Sequence, residues 1–387
     1  MLRNYLQKII SKNKITLLGV GPMSLNCINA VIALSNQYSV PIFLIASRRQ
    51  IDSDEFKGGY VNNWNTKEYC DYVLNRDKKG KVILARDHGG PWQNPIEVNK
   101  KLSLSNALES AKKSFKEDID SGFKVLHIDT CKDIHGSLSQ DDSLERLFEL
   151  YEYCWSYAKS QNKQIIFEIG TEEQSGSTNA LDQLEYNLKE VTKYCDSNLL
   201  PKPTFVVVQT GTKVMETRNI GSFDKPLRVE NEIPALIQLP KIIEICKKYN
   251  IFIKEHNTDY LSDDALEWHP RLGIHASNVA PEFGVTETLS LIKVLEDNSL
   301  NKISEEFLSI SYKAKFWSKW MLNNSNANDR QKAIVGGHYV FSNPDVIELK
   351  KKAGYQLSEK GINIDAYLEK SVSDKILRYL KKFRLVK

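Results

Sequence analysis

The sequence is organised around one stretch, Val82-Ile83-Leu84-Ala85-Arg86-Asp87-His88-Gly89-Gly90-Pro91. Its apolar first half is typical of a buried β-strand, and the two glycines and the proline end the strand and bring its backbone close to its surroundings. An Asp-His pair at the end of such a strand can hold a metal ion with the histidine and move a proton with the aspartate. The same pair could instead cap a helix and pack in the core, so the rest of the chain must decide between these interpretations.

Seven further short apolar runs resemble the run at Val82, and helical stretches alternate with them. Their apolar residues are continuous, which indicates strands that are covered on both faces, as in parallel sheets. Eight such units in succession predict an α/β fold of the (β/α)8 barrel type. An open doubly wound sheet is the alternative, although no Gly-rich dinucleotide fingerprint follows the first strand. The seven further strands are predicted at residues 15–21, 41–46, 124–129, 164–172, 204–209, 251–256 and 272–278.

The alternation of strands and helices stops near residue 300. We therefore expect residues 1–300 to form the barrel and residues 301–387 to form a helical extension that packs on it, with helices over residues 303–321, 344–353 and 364–383. In the last predicted helix, Ile376, Leu380 and Phe383 make an apolar stripe at helical spacing, which indicates packing on the barrel rim or on a partner subunit.

The composition is that of an ordinary globular protein. Hydrophobic residues make up 41% and charged residues 26% of the 387 residues, and the net charge is +4. This charge is too small and too mixed to indicate a nucleic-acid partner, and no zinc-finger spacing supports one. The six cysteines are far apart and form no C-x-x-C pair, as in a reduced, cytoplasmic protein. No stretch approaches the length of a transmembrane span, so we expect no membrane partner.

Polar residues stand at the ends of the predicted strands. The chemistry of (β/α)8 enzymes occurs at the C-terminal ends of the strands, so we expect these side chains to converge. Asp129 and Glu172 could each instead bind a loop amide, and His127, which lies within the fourth strand, is expected to pack in the barrel wall. The residues at the strand ends are Ser47, Arg48, Asp87, His88, Asp129, Glu172, Gln209, His256 and Asn278.

Several short motifs along the chain form a recognisable series. They are Gly58-Gly59-Tyr60, Asp87-His88-Gly89-Gly90-Pro91-Trp92-Gln93, Gly122-Phe123-Lys124 with His127-Ile128-Asp129, Ile169-Gly170-Thr171-Glu172, Val207-Val208-Gln209-Thr210-Gly211, Glu255-His256-Asn257-Thr258-Asp259-Tyr260 and Asp374-Lys375-Ile376. In this order and spacing they resemble the accessory, non-catalytic subunits of class II tagatose-bisphosphate aldolases. That family is similar in turn to the class II ketose-bisphosphate aldolases and to ketose-phosphate 4-epimerases. The resemblance covers nearly the whole chain, and no single motif decides it.

The resemblance implies a role for each residue that matches a motif. In the class II aldolases the Asp-His pair supplies a proton-transfer aspartate and a metal ligand, which implies a catalytic Asp87 and a metal-binding His88. His256 matches a second metal ligand, and zinc is the expected ion. The catalytic aldolases have a further histidine near the end of strand six, where this chain has Gln209. Gln209 and Glu172 are therefore the candidates for the third ligand, and Glu172 is also a candidate catalytic residue.

The expected substrate site combines glycines, cations and polar side chains near the barrel mouth. Arg48 and Arg49 add positive charge there, and Arg49 departs from the family pattern. The segment Ala280-Pro281-Glu282 departs from it as well, which indicates that the substrate or its phosphate contacts differ from those of the family. The predicted substrate-binding residues are Arg48, Arg49, Gly58, Gly59, Asp129 and Asn278.

Two functions from different classes remain open from the sequence. In the first, a divalent metal polarises a ketose phosphate and Asp87 exchanges a proton, which gives reversible aldol cleavage or epimerisation at C4. In the second, the chain is a non-catalytic subunit that stabilises a separate aldolase. Asp87, His88 and His256 favour the enzyme. The expected partners are a sugar phosphate and either a second copy of the chain or a catalytic aldolase subunit.

Overall fold

The computed structural model describes residues 2–170, 178–223 and 235–387, and at its centre eight parallel strands close into a barrel. The first strand closes the barrel because it pairs with both the second and the last barrel strand. The predicted (β/α)8 fold is confirmed. The barrel strands are β1 (Leu17–Val20), β2 (Ile42–Ser47), β3 (Val82–Gly89), β4 (Val125–Asp129), β5 (Ile166–Gly170), β6 (Phe205–Val208), β9 (Phe252–Glu255) and β10 (Ala276–Val279), and β7 (Val214–Met215) and β8 (Arg218–Asn219) form a separate hairpin.

Local sequence signals set the ends of the helices. Asn65 and Glu68 form a reciprocal capping box at the start of the third helix, and Gly122 ends the fifth helix in a left-handed conformation. The helices are α1 (Leu2–Asn13), α2 (Leu25–Tyr38), α3 (Thr66–Arg76), α4 (Pro95–Asn99), α5 (Leu104–Ser121), α6 (Gln140–Ser160), α7 (Leu181–Ser197), α8 (Ala235–Lys248), α9 (Asp263–Leu272), α10 (Pro281–Asp297), α11 (Asn301–Ala314), α12 (Asp329–Gly336), α13 (Pro344–Ser358) and α14 (Ile364–Lys382). None of the described helices is long and apolar enough to cross a membrane.

Two predicted boundaries differ from the structure for local reasons. The last barrel strand begins at Ala276 instead of Leu272, because Leu272 ends α9 and Gly273 caps that helix with a positive φ. The helix expected over residues 303–321 ends at Ala314, because Lys315 adopts a left-handed conformation with φ of 59°. A short 3₁₀ turn, Ser318–Trp320, follows it and leads to the barrel mouth.

The N-terminal end of the barrel is closed by apolar side chains. Every second side chain of each strand faces the barrel interior, and at this end those side chains are buried. Leu6 and Ile10 of α1 pack against them. Burial of a large apolar side chain contributes roughly 1.5–3 kcal/mol, so this plug stabilises the closed end. Polar side chains can therefore collect only at the opposite, C-terminal end. The plugging strand residues are Leu17, Phe43, Ile45, Ile83, Ala85, Val125, Phe205 and Ala276.

The last helix belongs to the outer layer of the barrel. Helix α14 packs against both α2 and α10. The predicted stripe of Ile376, Leu380 and Phe383 is buried in the same apolar cluster as the outer faces of the strands. The beginning of α14 packs instead with α10, α11 and α13 in a second cluster. The extension is thus joined to the barrel by a continuous apolar contact, while the division of the chain at residue 300 remains a prediction.

Candidate active site

A bulge at the end of β3 turns two adjacent side chains toward the same cavity. Neighbouring residues of a regular strand face opposite sides, and Asp87 faces the interior. His88 has a φ of 46°, and the register with β4 shifts between Arg86 and Gly89. Asp87 and His88 consequently both line the cavity at the barrel mouth. The following Gly90 fits against β4 only because it lacks a side chain, since a Cβ there would lie 1.9 Å from the carbonyl oxygen of Asp129.

Three imidazoles surround the carboxylate of Asp87. Nδ1 of His127 and Nε2 of His256 lie 3.6 and 3.7 Å from its Oδ1, and Nε2 of His88 lies 3.8 Å from its Oδ2. The three ring centroids are 5.2 to 5.5 Å apart. His127 was expected in the barrel wall, but it has the same strand parity as Asp129 and therefore faces the interior. The alternation of side chains along this strand was the sequence signal that could have identified His127 as a residue of the site.

A buried ion pair lies against the imidazoles. Nζ of Lys254 is 2.5 Å from Oε2 of Glu168, and both side chains are almost completely buried. Oε1 of Glu168 lies 3.1 Å from Nε2 of His256 and 3.7 Å from Nδ1 of His127. Burial alone would raise the pKa of Glu168, but Lys254 and the two histidines lower it to about 2. The sequence interpretation missed both members of the pair, because each lies within an apolar run.

His88 lies between two carboxylates. Its Nδ1 is 2.5 Å from Oδ2 of Asp129, and Asp87 lies on its other side. Burial would lower the pKa of His88, but the two aspartates raise it to about 9. Burial would likewise raise the pKa of Asp87 and of Asp129, but the neighbouring histidines lower both below the usual range. In the protein without bound metal, neutral pH therefore leaves His88 protonated and both aspartates ionised.

The site offers two overlapping sets of metal ligands. The ligand atoms within each set lie within 4.8 Å of one another. Imidazole nitrogens and carboxylate oxygens are donors that zinc and other first-row divalent ions accept. His127 belongs to both sets, and its buried Nε2 has no hydrogen-bond partner among the described residues. The donor set thus fits a divalent metal ion. One set is Asp87, His127, Glu168 and His256, and the other is His88, His127 and Asp129.

Two of the predicted substrate-binding residues, Asn278 and Arg49, line a cavity at the barrel mouth. Nδ2 of Asn278 donates to Oδ1 of Asp87 over 3.3 Å, and the Oδ1 of Asn278 has no partner among the described residues. Arg49 lines the mouth. Asp129, a third predicted substrate ligand, accepts hydrogen bonds from Gln93 and from the backbone of Cys131 in addition to its contact with His88. Asp129 is therefore placed to orient His88.

Arg48 faces away from the mouth, contrary to the expected substrate contact. Its Nε lies 2.9 Å from Oδ2 of Asp52, and its Nη1 lies 2.5 Å from Oε1 of Glu97 and 3.1 Å from the carbonyl oxygen of Gly90. Its Nη2 donates to Ser110, and the side chain is 1% exposed. With all three guanidinium nitrogens in contact with buried acceptors, Arg48 holds the loops together, and we exclude it from the substrate site.

The two predicted glycines pack against the backbone of their own loop. A Cβ on Gly59 would lie 2.0 Å from the carbonyl oxygen of Gln50, and Gly58 has a φ of 66°. The next residue, Tyr60, lines the cavity. The glycines thus shape the loop that positions Tyr60, which corrects their expected direct contact with substrate.

The structure describes only one of the two candidates for the third metal ligand, Gln209. The backbone N–H of Gln209 donates to Oδ1 of Asn179 over 2.7 Å, and Gln209 does not line either cavity at the mouth. Glu172 lies outside the described residues. Among the described side chains, His127 occupies the position next to both His88 and His256.

The mouth holds two adjoining cavities of about 290 and 360 Å³. The imidazoles of His88 and His256 line both of them, and Tyr60, Trp320 and Tyr339 line the 290 Å³ cavity. Fold and site together define the class of protein: a (β/α)8 barrel with a carboxylate–imidazole centre at the C-terminal ends of its strands.

Solved structures share this fold. The chain matches a "probable tagatose 6 phosphate kinase" from Sinorhizobium meliloti 1021 with 17% identity and a TM-score of 0.71, over 95% of this chain and 100% of that one. It matches the fructuronate-tagaturonate epimerase UxaE from Cohnella laeviribosi with 10% identity and a TM-score of 0.58, over 96% and 81% of the two chains. It matches a fructose-bisphosphate aldolase from Campylobacter jejuni with 11% identity and a TM-score of 0.55, over 99% and 94%. No family model and no curated protein sequence matches. The resemblance noted in the sequence is thus confirmed at the level of the fold.

Proposed function

We propose that the chain is a divalent-metal-dependent enzyme that acts on a ketose phosphate by retro-aldol chemistry, through reversible cleavage or epimerisation at C4. The observation that carries the proposal is the arrangement of His88, His127 and His256 around Asp87 at the barrel mouth. The aldolase and the epimerase that share the fold support the class of reaction.

We propose that His88 and His256 hold the metal ion, each from one of the two ligand sets, and that His127, which belongs to both sets, is the third ligand in place of Gln209 or Glu172. When bound, a divalent ion supplies Lewis-acid polarisation of the substrate carbonyl. Asp129 fixes the ring of His88 through Nδ1, as carboxylates commonly do for metal-binding histidines. Zinc is the ion that we propose, since imidazole and carboxylate groups are among its usual ligands.

Asp87 would move the proton. Its lowered pKa keeps it ionised, and Asn278 contacts its Oδ1 at the mouth. In the cleavage direction Asp87 accepts the proton of the C4 hydroxyl and the C3–C4 bond breaks. The electron pair of that bond passes toward the ketose carbonyl. In the reverse direction Asp87 returns the proton to the re-formed hydroxyl. Rotation of the aldehyde half before the bond re-forms would invert C4.

A second candidate function is that of a non-catalytic subunit of a separate aldolase. Gln209 favours it, because the resemblance to catalytic aldolases leads us to expect a histidine in that region. In this case the chain would bind a catalytic partner through its outer helices or its extension. Either function is compatible with a homo-oligomer and with the cytoplasmic location predicted from the sequence.

The two functions are separated by the metal content and turnover of the protein purified alone. We expect about one zinc or manganese ion per chain and turnover of at least one ketose mono- or bisphosphate. Asp87→Asn should keep the metal and lose turnover by roughly 10²- to 10⁴-fold, the usual contribution of a general acid–base group. His88→Ala should lose metal and turnover together.

The opposite results are equally informative. A metal-loaded protein that turns over no sugar phosphate alone, but raises the activity of an added aldolase, is a non-catalytic subunit. Loss of the metal in Asp87→Asn would make Asp87 a ligand, and near-normal turnover would exclude it as the proton carrier.

A further inference from the structure

Three cationic side chains gather at the mouth, above the carboxylates. Arg49 lines both cavities, Lys319 lines one of them and Lys132 lines the other. Within the described part of the chain, neither Arg49 nor Lys319 has a carboxylate oxygen within 4.0 Å. Lys132 donates to the carbonyl oxygen of Trp92. These cations therefore differ from Arg48 next to them, whose charge is fully paired inside the protein.

The cations at the mouth also oppose one another. Loss of water at the cavity wall lowers the pKa of Lys319, and the positive charge of Arg49 lowers it further. The pKa of Lys132 is lowered by the same two causes. Like charges held together are unfavourable unless an anion lies between them. The arrangement is thus suited to a negatively charged ligand.

The extension beyond the barrel holds Lys319 in place. Its Nζ lies 4.9 Å from the ring centroid of Trp320 and 5.0 Å from that of Tyr339, within the range of cation–π contacts. The indole N–H of Trp320 donates to the hydroxyl of Tyr339. The backbone carbonyl oxygen of Trp320 accepts a hydrogen bond from the backbone N–H of Glu216. The short 3₁₀ turn is thereby tied both to the extension and to the loop after β6. Lys319 is directed to the mouth by contacts on both sides.

We propose that Arg49 and Lys319 bind the terminal anionic group of the substrate, a phosphoryl or a carboxylate group, so that the extension completes the substrate site. The identification of the ligand as a sugar rests on the proposed function. Asp87, Asp129 and Glu168 would repel an anion from the depth of the site, whereas the cations attract it at the rim. The substrate would therefore bind with its hydroxyl groups inward and its charged end outward.

Calorimetric binding at pH 7 and low salt tests this subsite with three probes: D-tagatose, D-tagatose 6-phosphate and D-tagaturonate. We expect the wild-type protein to bind at least one of the two acids more tightly than the neutral sugar. Lys319→Met should lower the binding affinity for that acid about tenfold or more, because the substitution removes a charge-assisted contact. The affinity for D-tagatose should be unchanged. Lys302→Met, an exposed lysine on α11 of the same extension, is the matched control and should bind like the wild type. The acid that loses more affinity identifies the anionic group.

Three results would overturn the subsite: no preference of the wild type for either acid, unchanged affinity in Lys319→Met, or inorganic phosphate binding as tightly as the sugar phosphate. The test also separates this proposal from the proposed function. Lys319-dependent binding in a protein without turnover would reject only the enzyme, whereas turnover with unaltered kinetics in Lys319→Met would reject only the subsite.

Discussion

Arg48 and Arg49 are neighbours in the chain, yet they lie on different sides of the loop that follows β2. Arg48 contacts Asp52 and Glu97 in the protein interior and is 1% exposed. Arg49 lines the mouth, and within the described residues it has no carboxylate at ion-pair distance. One arginine therefore stabilises the loops, and the other is available to a ligand.

Two consecutive residues at the end of β3, Arg86 and Asp87, show the same difference. Arg86 faces outward and makes two contacts with Asp118, at 2.8 Å from Nε and 2.5 Å from Nη2. Asp87 faces inward among three imidazoles, none of which is closer than 3.6 Å to it. Arg86 is therefore paired with good geometry outside the barrel, whereas Asp87 inside it remains open to an ion or a substrate. The difference separates residues that support the fold from those that support function, and the following variants test it.

The largest expected effect is the loss of Arg86. Its guanidinium also donates to the carbonyl oxygens of Ala46 and Ile51, so Arg86→Met would leave several buried acceptors and the charge of Asp118 without partners. Breaking a buried ion pair in this way costs about 3–5 kcal/mol. Urea unfolding should show this decrease in the free energy of unfolding. The double variant Arg86→Met/Asp118→Leu should recover part of it, and a decrease below about 1 kcal/mol for Arg86→Met would contradict the structural role.

A smaller effect, on the affinity for the metal ion, is expected when Asp129 at the end of β4 is replaced. Asp129→Asn keeps the shape of the side chain but removes the carboxylate that accepts from His88. Replacing such a partner of a metal-binding histidine typically weakens metal binding by roughly 10- to 100-fold. Competition with a chelator would measure the zinc affinity. Asp133→Asn is the matched control, since Asp133 lies in the loop that follows β4 and pairs with Arg146 of α6. Equal affinities in the two variants would show that Asp129 does not orient His88.

The sequence was sufficient for the barrel fold, and it pointed to three residues that line the mouth, although it also pointed to Arg48 and Gln209, which do not. Continuous apolar runs indicated parallel strands, and Asp87, His88 and His256 follow such runs directly. Glu168 and Lys254 could not be found in this way, because they lie inside the runs and meet only through the register of neighbouring strands.

Loops and distant contacts were less accessible to sequence reasoning. The loop after β2 has no periodicity, so nothing in it separates Arg48 from Arg49. Lys319 reaches the mouth only because the extension folds back over the barrel and its aromatic residues pack there. The pattern of strands and helices contains no information about that contact.

The next effect is the pH dependence of metal binding. The raised pKa of His88, about 9, means that below this pH a metal ion must displace a proton. Zinc affinity should therefore rise about tenfold per pH unit between pH 7 and 8 and level off above pH 9. The same proton stabilises the metal-free fold below the unfolded pKa of about 6.5, and this contribution is lost as the pH rises toward 9. Chelator competition at several pH values checks the slope, and a pH-independent affinity would exclude His88 as the ligand that loses a proton.

The smallest expected effect is the change in stability caused by replacing Arg49, and it is best judged against the same replacement of its neighbour Arg48. Arg49→Gln removes a side chain that has no paired carboxylate among the described residues, and it relieves the repulsion that Lys132 and Lys319 experience. We therefore expect the free energy of unfolding to change by less than about 0.5 kcal/mol, as for most surface substitutions. Arg48→Gln introduces the same side chain one residue earlier but leaves Asp52 and Glu97 buried without their cation. It should cost several-fold more, and urea unfolding of the two variants without ligand compares them directly. If Arg49→Gln were as destabilising as Arg48→Gln, Arg49 would be part of the structural network, and its place in the anion subsite would be lost.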